Sequence, residues 1–403
     1  MTKSRTRGFG RREMIEGSAA FAAGCLLRPA TTLAQAAEAS QDWSQLLVNS
    51  TLARNPDPRT FHHGWNYPAG LFLFGQYLVY RRTHEQRLLN YIVNYVQAHV
   101  DEHGQPDQPI ESLDSILAAN LLLVLYRETK LDRYKLGAET FRRRFDTYPR
   151  TSDGGFWHGN RPERAWQLWL DGNYMALQFL LRYGTTFGDS AYANAEAVQQ
   201  LRVYHKHLAT GSSGLLYHAY DESGKAPWAD PVEHRSRDIW CRSLGWYGMM
   251  LVDTLDVIPP NQPGRDELLV ILRRLIEGIA HYQNAQSGLW YEVFDRPQLA
   301  GNWTETSSSC MFTYILDIAV KRGYVPVHYL ESARKGYKGV MSRVSLGSDG
   351  MTNLTEICVG TNIGDTAWYL ARPRATNDPH GLGAFLLMNE EWNYSVSSMR
   401  FKA

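Results

Sequence analysis

Cysteine is scarce in this chain: four occur in 403 residues. Cys25 lies near the amino terminus, and Cys241, Cys310 and Cys358 are scattered, without the even, dense pattern of a disulfide framework or the short spacings of a metal site. An excess of charge is lacking too. The formal net charge is +1 and no basic run occurs beyond the first residues, which argues against nucleic acid or an acidic membrane surface as partner. Beyond the amino-terminal stretch no apolar run is long enough to span a bilayer. There is no Gly-rich nucleotide cradle, no His-Glu-x-x-His helix and no Gly-x-Ser-x-Gly elbow, so neither a cofactor nor a metal is expected. Long alternating strands are also missing, which leaves an all-α reading.

What the chain does have begins with an export-type leader, assigned to residues 1–36. Arg11-Arg12 is followed by Met14 and Ile15, then a weakly apolar run to Leu27, then Leu33-Ala-Gln-Ala36. Paired arginines ahead of a small-x-small cleavage site resemble a twin-arginine signal, which predicts a bacterial periplasmic or secreted protein. Ala22 makes Cys25 a poor lipoprotein match. Residues 37–403 are expected to form one domain, a monomer or weak homo-oligomer.

After a polar linker, apolar residues recur at three- and four-residue steps. The spacing predicts helical pairs 67–82 with 88–100, 110–128 with 132–148, 166–183 with 192–208, 237–255 with 268–283 and 306–322 with 326–343, and a last helix over 382–391. Gly-centred turns separate the pairs at intervals of roughly 50 to 75 residues. Ser213-Gly214-Leu-Leu-Tyr-His218-Ala-Tyr-Asp221 and Ser287-Gly288-Leu-Trp-Tyr-Glu292-Val-Phe-Asp295 match almost position for position, an internal repeat. Six hairpins of about 60 residues fill the mature chain and suggest an (α/α)6 barrel. An open solenoid is the alternative, although the first helix is as apolar as the rest.

A ring would gather the residues at helix starts on one rim. These are Tyr67, Asp114, Asp171, Trp240, Arg242, Trp246, Glu305 and Thr306, with His158, His218 and Glu292 in the turns. Helix amino ends would favour an anionic ligand there. The stretch from Gly155 to Met175 is the richest, holding Trp157, His158, Trp166, Trp169 and Asp171. Aromatic faces stack on sugar rings, and a carboxyl among tryptophans loses water and can keep its proton. Each residue also has a plainer reading. Asp171 could cap a helix, Asp114 could be an ordinary first-turn residue, and His218 could face solvent or fill a gap. Arg242 could sit on an amphipathic surface, or could grip a substrate carboxylate with both prongs. Asn377-Asp-Pro-His-Gly381 reads first as a turn and helix start. Across a cavity, Asp114 and Asp171 would repel one another and raise one carboxyl's pKa.

Several motifs carry a resemblance when taken in order. They are Trp65-Asn-Tyr67-x-x-Gly70, Trp157-His158, Gln167-Leu-Trp169-Leu-Asp171-Gly-Asn-Tyr-Met175, Leu216-Tyr-His218-Ala-Tyr-Asp221, Trp240-Cys-Arg242-Ser-Leu-Gly-Trp246, Glu305-Thr-Ser-x-Ser and Cys358-Val-Gly-Thr with Asn377-Asp-Pro-His-Gly-Leu-Gly. Together they resemble the unsaturated uronyl hydrolases of glycoside hydrolase family 105, kin of family 88. The resemblance implies an (α/α)6 barrel acting on unsaturated oligosaccharides left by polysaccharide lyases. It implies Asp171 as catalytic acid and base, Asp114 as its carboxylate partner, and Tyr67, His158, Trp169, His218, Trp240, Arg242 and Trp246 as the pocket for the uronate. Two departures bear on the sugar beyond the uronate. Gly159 stands where many relatives have lysine, and Arg242-Ser-Leu-Gly-Trp246 stands for Arg-Gly-Asn-Gly-Trp.

Overall fold

The computed structural model describes residues 41–211 and 213–396. The leader predicted over residues 1–36 lies outside the described residues. From Trp43 onward the chain is one compact unit.

Six helices form an inner ring: Tyr67–Thr83, the broken pair Asp114–Leu117 and Asn120–Thr129, Gly172–Phe187, Cys241–Val257, Thr306–Lys321 and Pro379–Tyr394. Each packs on the next, and the last packs on the first, so the ring is closed. Its helices are buried almost all round, as a helix with neighbours on every side must be; Cys241 through Leu255 are buried without interruption. Outside them run Gln86–His99, Asp132–Arg144, Ser190–Leu208, Arg265–His281 and Leu330–Met341, each with one buried stripe. This is the (α/α)6 barrel that the hairpin count predicted.

The sixth outer helix is where the sequence misled. Trp43–Arg54, predicted as polar linker, is helical and packs against Pro379–Tyr394, closing the barrel between the two ends of the chain. Its buried face holds Ser44, Ser50 and Thr51 beside Leu47 and Val48, so hydropathy gives little periodic signal. The serine hydroxyls have remote partners, Asn389 Nδ2 donating to Ser44 Oγ at 2.7 Å and the Thr352 amide to Ser50 Oγ at 2.8 Å, while Thr51 donates to the Leu47 carbonyl of its own helix. Polar groups also join the inner helices. Asp253 accepts from Gln178 at 2.5 Å and from Tyr314 at 2.8 Å, linking three of them through one carboxylate.

Short antiparallel ladders sit at one rim. Gln167–Trp169 pairs with Ala219–Asp221, and Trp290–Tyr291 with Thr304–Glu305. The helix predicted from Trp166 therefore begins only at Gly172, after a strand. The two repeated turns have the same physical cause. Gly214 and Gly288 have φ of +73° and +74°, and each lies against a backbone carbonyl of the neighbouring outer helix, Arg274 and Lys335 respectively, where a Cβ would collide.

Candidate active site

Four of the six inner helices carry, at or next to their first residue, a side chain that lines one cavity of about 500 Å³: Tyr67, Asp114, Asp171 and His380. The ladders place the rest. Leu170 donates its amide to the His218 carbonyl at 2.8 Å, His158 donates to Gln167 at 2.7 Å, and Leu113 donates to His158 at 3.0 Å. These three bonds tie the Asp114 helix, the His158 turn and both strands into one frame.

Asp171 precedes its helix but does not cap it. Its backbone is helical, and its side chain makes no capping hydrogen bond. The carboxyl is left for the cavity, where Oδ2 lies 3.2 Å from His218 Nε2. That approach lacks hydrogen-bond alignment, since neither atom has an aligned partner. His218 is fully buried, which pushes its pKa down against the pull of Asp171, so the ring is neutral. The Tyr369 hydroxyl, held protonated by burial, lies 2.7 Å from His218 Nδ1 and receives the Gly364 amide. Tyr369 therefore donates to Nδ1, which leaves the N–H on Nε2 facing Asp171.

Asp114 is held differently. Its Oδ2 lies 3.3 Å from His158 Nε2 and 3.5 Å from the Arg164 guanidinium. Burial raises its pKa, but the charge and hydrogen bond of His158, the charge of Arg164 and a bond from Ser112 outweigh it and leave Asp114 below the usual range. Mutual repulsion was expected to raise one carboxyl of the Asp114–Asp171 pair; Asp114 instead is pushed down by His158, Arg164 and Ser112. His158 stacks flat on Trp169 at 4.4 Å, and Arg164 lies over the Trp169 ring, also at 4.4 Å.

On the opposite wall, Tyr67 Oη is 2.7 Å from His380 Nε2, and His380 Nδ1 is 2.6 Å from Asp378 Oδ1. Asp378 is ionised: burial acts against it, but hydrogen bonds from the His380 side chain and amide prevail. A carboxylate only accepts, so His380 donates from Nδ1; burial lowers the pKa of its ring, which is therefore neutral, and Nε2 accepts the Tyr67 O–H. The Tyr67 oxygen keeps its lone pairs for the cavity. Burial holds the phenol protonated.

Of the nine residues singled out in the sequence, Tyr67, Asp114, His158, Trp169 and Asp171 line the cavity. His218, Trp240, Arg242 and Trp246 stand behind it. The grip on a substrate carboxylate assigned to Arg242 needs correction. The residue is fully buried, and Nη1 donates to the Cys358 carbonyl at 2.5 Å while Nη2 donates to that of Val359 at 3.0 Å. It lies over the Trp240 ring at 4.6 Å and braces the segment from which Gly360, Thr361 and Asn362 line the site. Trp246 packs on Tyr174 at 4.8 Å, inside the ring.

The cavity also contains residues not chosen from sequence: His62, His63, Arg164, Trp368, Arg372 and His380. Arg164 lay within the aromatic-rich stretch, and His380 within the motif read as a turn; both carried a signal. His62 and His63 did not. They follow Phe61, where a single-turn helix kinks, and both have positive φ. Burial, then the charges of His380 and His63, push His62 down to about 4, so it is neutral.

Beneath the site, Cys241, Glu292 and Glu305 bring potential ligand atoms within 4.8 Å of one another. The carboxylates are already engaged. Glu305 caps the Thr306 helix and receives the amides of Ser307, Ser308 and Cys358, while Glu292 receives Trp240 Nε1 at 2.9 Å and the Cys358 thiol at 3.1 Å. Burial, then repulsion from Glu305, push Glu292 up to about 7.

A closed six-hairpin barrel with two carboxyl groups in one aromatic-walled cavity is an arrangement suited to a glycoside hydrolase. The comparisons with known proteins agree. The chain belongs to Glycosyl Hydrolase Family 88, whose profile matches residues 43–394. The C. acetobutylicum glycoside hydrolase from family 105 is 33% identical, covering 87% of this chain and 99% of its own, with a TM-score of 0.82. Protein Atu3128 of Agrobacterium fabrum is 36% identical over 234 residues, which are 54% of this chain and 97% of that protein. An unsaturated glucuronyl hydrolase from Bacillus sp. GL1, responsible for glycosaminoglycan degradation, shares the fold at 15% identity. Its TM-score is 0.67, with 88% of this chain and 98% of that one covered.

Proposed function

We propose that the protein releases a terminal 4,5-unsaturated uronic acid from lyase-generated oligosaccharides by hydrating the C4=C5 bond. The observation that carries this reading is the shared cavity: Asp171 and Asp114 line it together, Asp114 against the Arg164 guanidinium and His158, Asp171 against His218. Asp171 gives a proton to C4, and positive charge develops at C5 and the ring oxygen. The ionised Asp114 carboxylate faces that charge across the cavity. Asp171, now a carboxylate beside the His218 N–H, takes a proton from the water that adds at C5. The resulting hemiketal opens and expels the remaining sugar. Arg372 and Arg164 on the lining supply guanidinium groups for the uronate carboxylate.

The substrate we favour is unsaturated galacturonyl-rhamnose from rhamnogalacturonan, with an unsaturated glucuronyl sugar from an ulvan-like polymer as the alternative. Export through the twin-arginine route is proposed from the leader-like sequence alone. The test follows the ultraviolet absorbance of the conjugated enoate in lyase-digested rhamnogalacturonan and ulvan. Wild type should abolish it, and Asp171→Asn should slow the loss by roughly a thousandfold while keeping the fold. Equal rates in the two proteins would remove Asp171 from the mechanism. Release of saturated sugars with the absorbance intact would make this an ordinary inverting hydrolase.

A further inference from the structure

A second cavity, about 710 Å³, opens beside the first. The two share Arg164, Trp169 and Asn362 as a common wall, and Arg164 Nη2 reaches Asn362 Oδ1 at 3.3 Å along it. Their volumes fall in the range of small-ligand sites. Two further tryptophans border the outer cavity. Trp228 packs against the small cluster of Trp169, Ala219 and Ile363, and Trp166 lines the same cavity.

Trp166 is the informative residue. It is 46% exposed and has φ of +67°. A bulky side chain in left-handed backbone costs roughly 1–3 kcal/mol and persists only where surrounding structure imposes it. Here the Trp166 carbonyl receives the Glu222 amide at 3.0 Å, and its ring leans on Trp157 at 4.6 Å. An exposed tryptophan held in a strained conformation at a cavity wall gains nothing for the core. The loop opposite is also built to stay in place. Asp221 is buried and accepts from the Ser223 amide and hydroxyl and the Ala226 amide, which fixes the approach to Lys225, Pro227 and Trp228.

We propose that the outer cavity is the subsite for sugars on the leaving-group side of the scissile bond, with Trp166 and Trp228 as stacking faces. The enzyme then acts preferentially on unsaturated oligosaccharides longer than a disaccharide. This rests on the inner cavity being the uronate site. Rings stacked on indole faces pack their C–H surfaces without a charge requirement, so a neutral deoxysugar is accepted as readily as an acidic one.

The experiment compares kcat/KM for the unsaturated galacturonyl-rhamnose disaccharide with that for the tetrasaccharide of the same repeat. Wild type should favour the tetrasaccharide, chiefly through KM. Trp166→Ala and Trp228→Ala should each cut the ratio by roughly three- to tenfold, the scale of one aromatic contact. Trp166→Gly separates this role from a structural one: it relieves the strained backbone, so the melting temperature should hold or rise while the ratio falls. Equal kcat/KM for both substrates in wild type, or variants that keep the wild-type ratio, would overturn the subsite and leave the uronate reading standing. Turnover of neither substrate would overturn the subsite together with the galacturonyl-rhamnose assignment.

Discussion

Asp171 and Asp114 illustrate how the same side chain is held in two different surroundings. Asp114 sits among His158, Arg164 and Ser112, and their combined effect exceeds the cost of burial. Asp171 lies instead beside the N–H of a neutral His218. Asp114→Asn should therefore lower kcat by roughly a hundredfold or more, with a smaller effect on KM, because the lost charge matters most when C5 becomes cationic. The pH profile offers a second check. Because its pKa is depressed, Asp114 is charged at and above the ordinary aspartate value of about 3.9, so its contribution disappears only below that pH. An acid limb near neutrality that vanishes in the Asp114→Asn variant would contradict this assignment. Arg242 shows the limit of reading single residues. The sequence set it between tryptophans, and the fold turned both prongs toward carbonyls of its own chain.

The repeated turns after Gly214 and Gly288 are the elements whose sequence explains itself best. Both glycines combine left-handed backbone with direct apposition to a carbonyl of the next outer helix, so alanine suffers strain and collision together. Gly214→Ala and Gly288→Ala should each destabilise the protein by at least about 3 kcal/mol. Gly301, with φ of +81° and open space around it, is the control. Its alanine variant should lose only roughly 1–2 kcal/mol. Urea denaturation of the three variants decides the matter, and equal losses would show that the close approach contributes nothing. Trp43–Arg54 is the opposite case. Its buried serines and threonine read as linker, and its helical state follows from partners about 300 residues away in sequence.

At the scale of the whole molecule, the closed ring buries a group of acids and thiols beneath the site. Glu292, raised from 4.5 to about 7, makes folding stability depend on pH. The sign follows from linkage: its stabilising contribution is fully present below about pH 4.5 and is lost as pH rises through about 7, where a buried charge must form. Glu292→Gln keeps the shape of the protonated acid without titrating. Relative to wild type, the variant should gain on the order of 2–3 kcal/mol between pH 5 and pH 8. Parallel stability curves for the two proteins over that range would refute the assignment.

Period and punctuation lie in the sequence because they are local properties. Three- and four-residue apolar spacing specified the helices, and glycine at the turns specified where hairpins join, which together imply the barrel. The carboxyl pair was legible for the same reason, since each aspartate stands at a helix start. Which residues face the cavity was left to the tertiary structure. Whether a guanidinium meets a ligand or a carbonyl, whether two histidines with no motif reach the rim, and whether serines lie inside or outside all depend on contacts between distant segments. Those contacts exist only once the ring has closed.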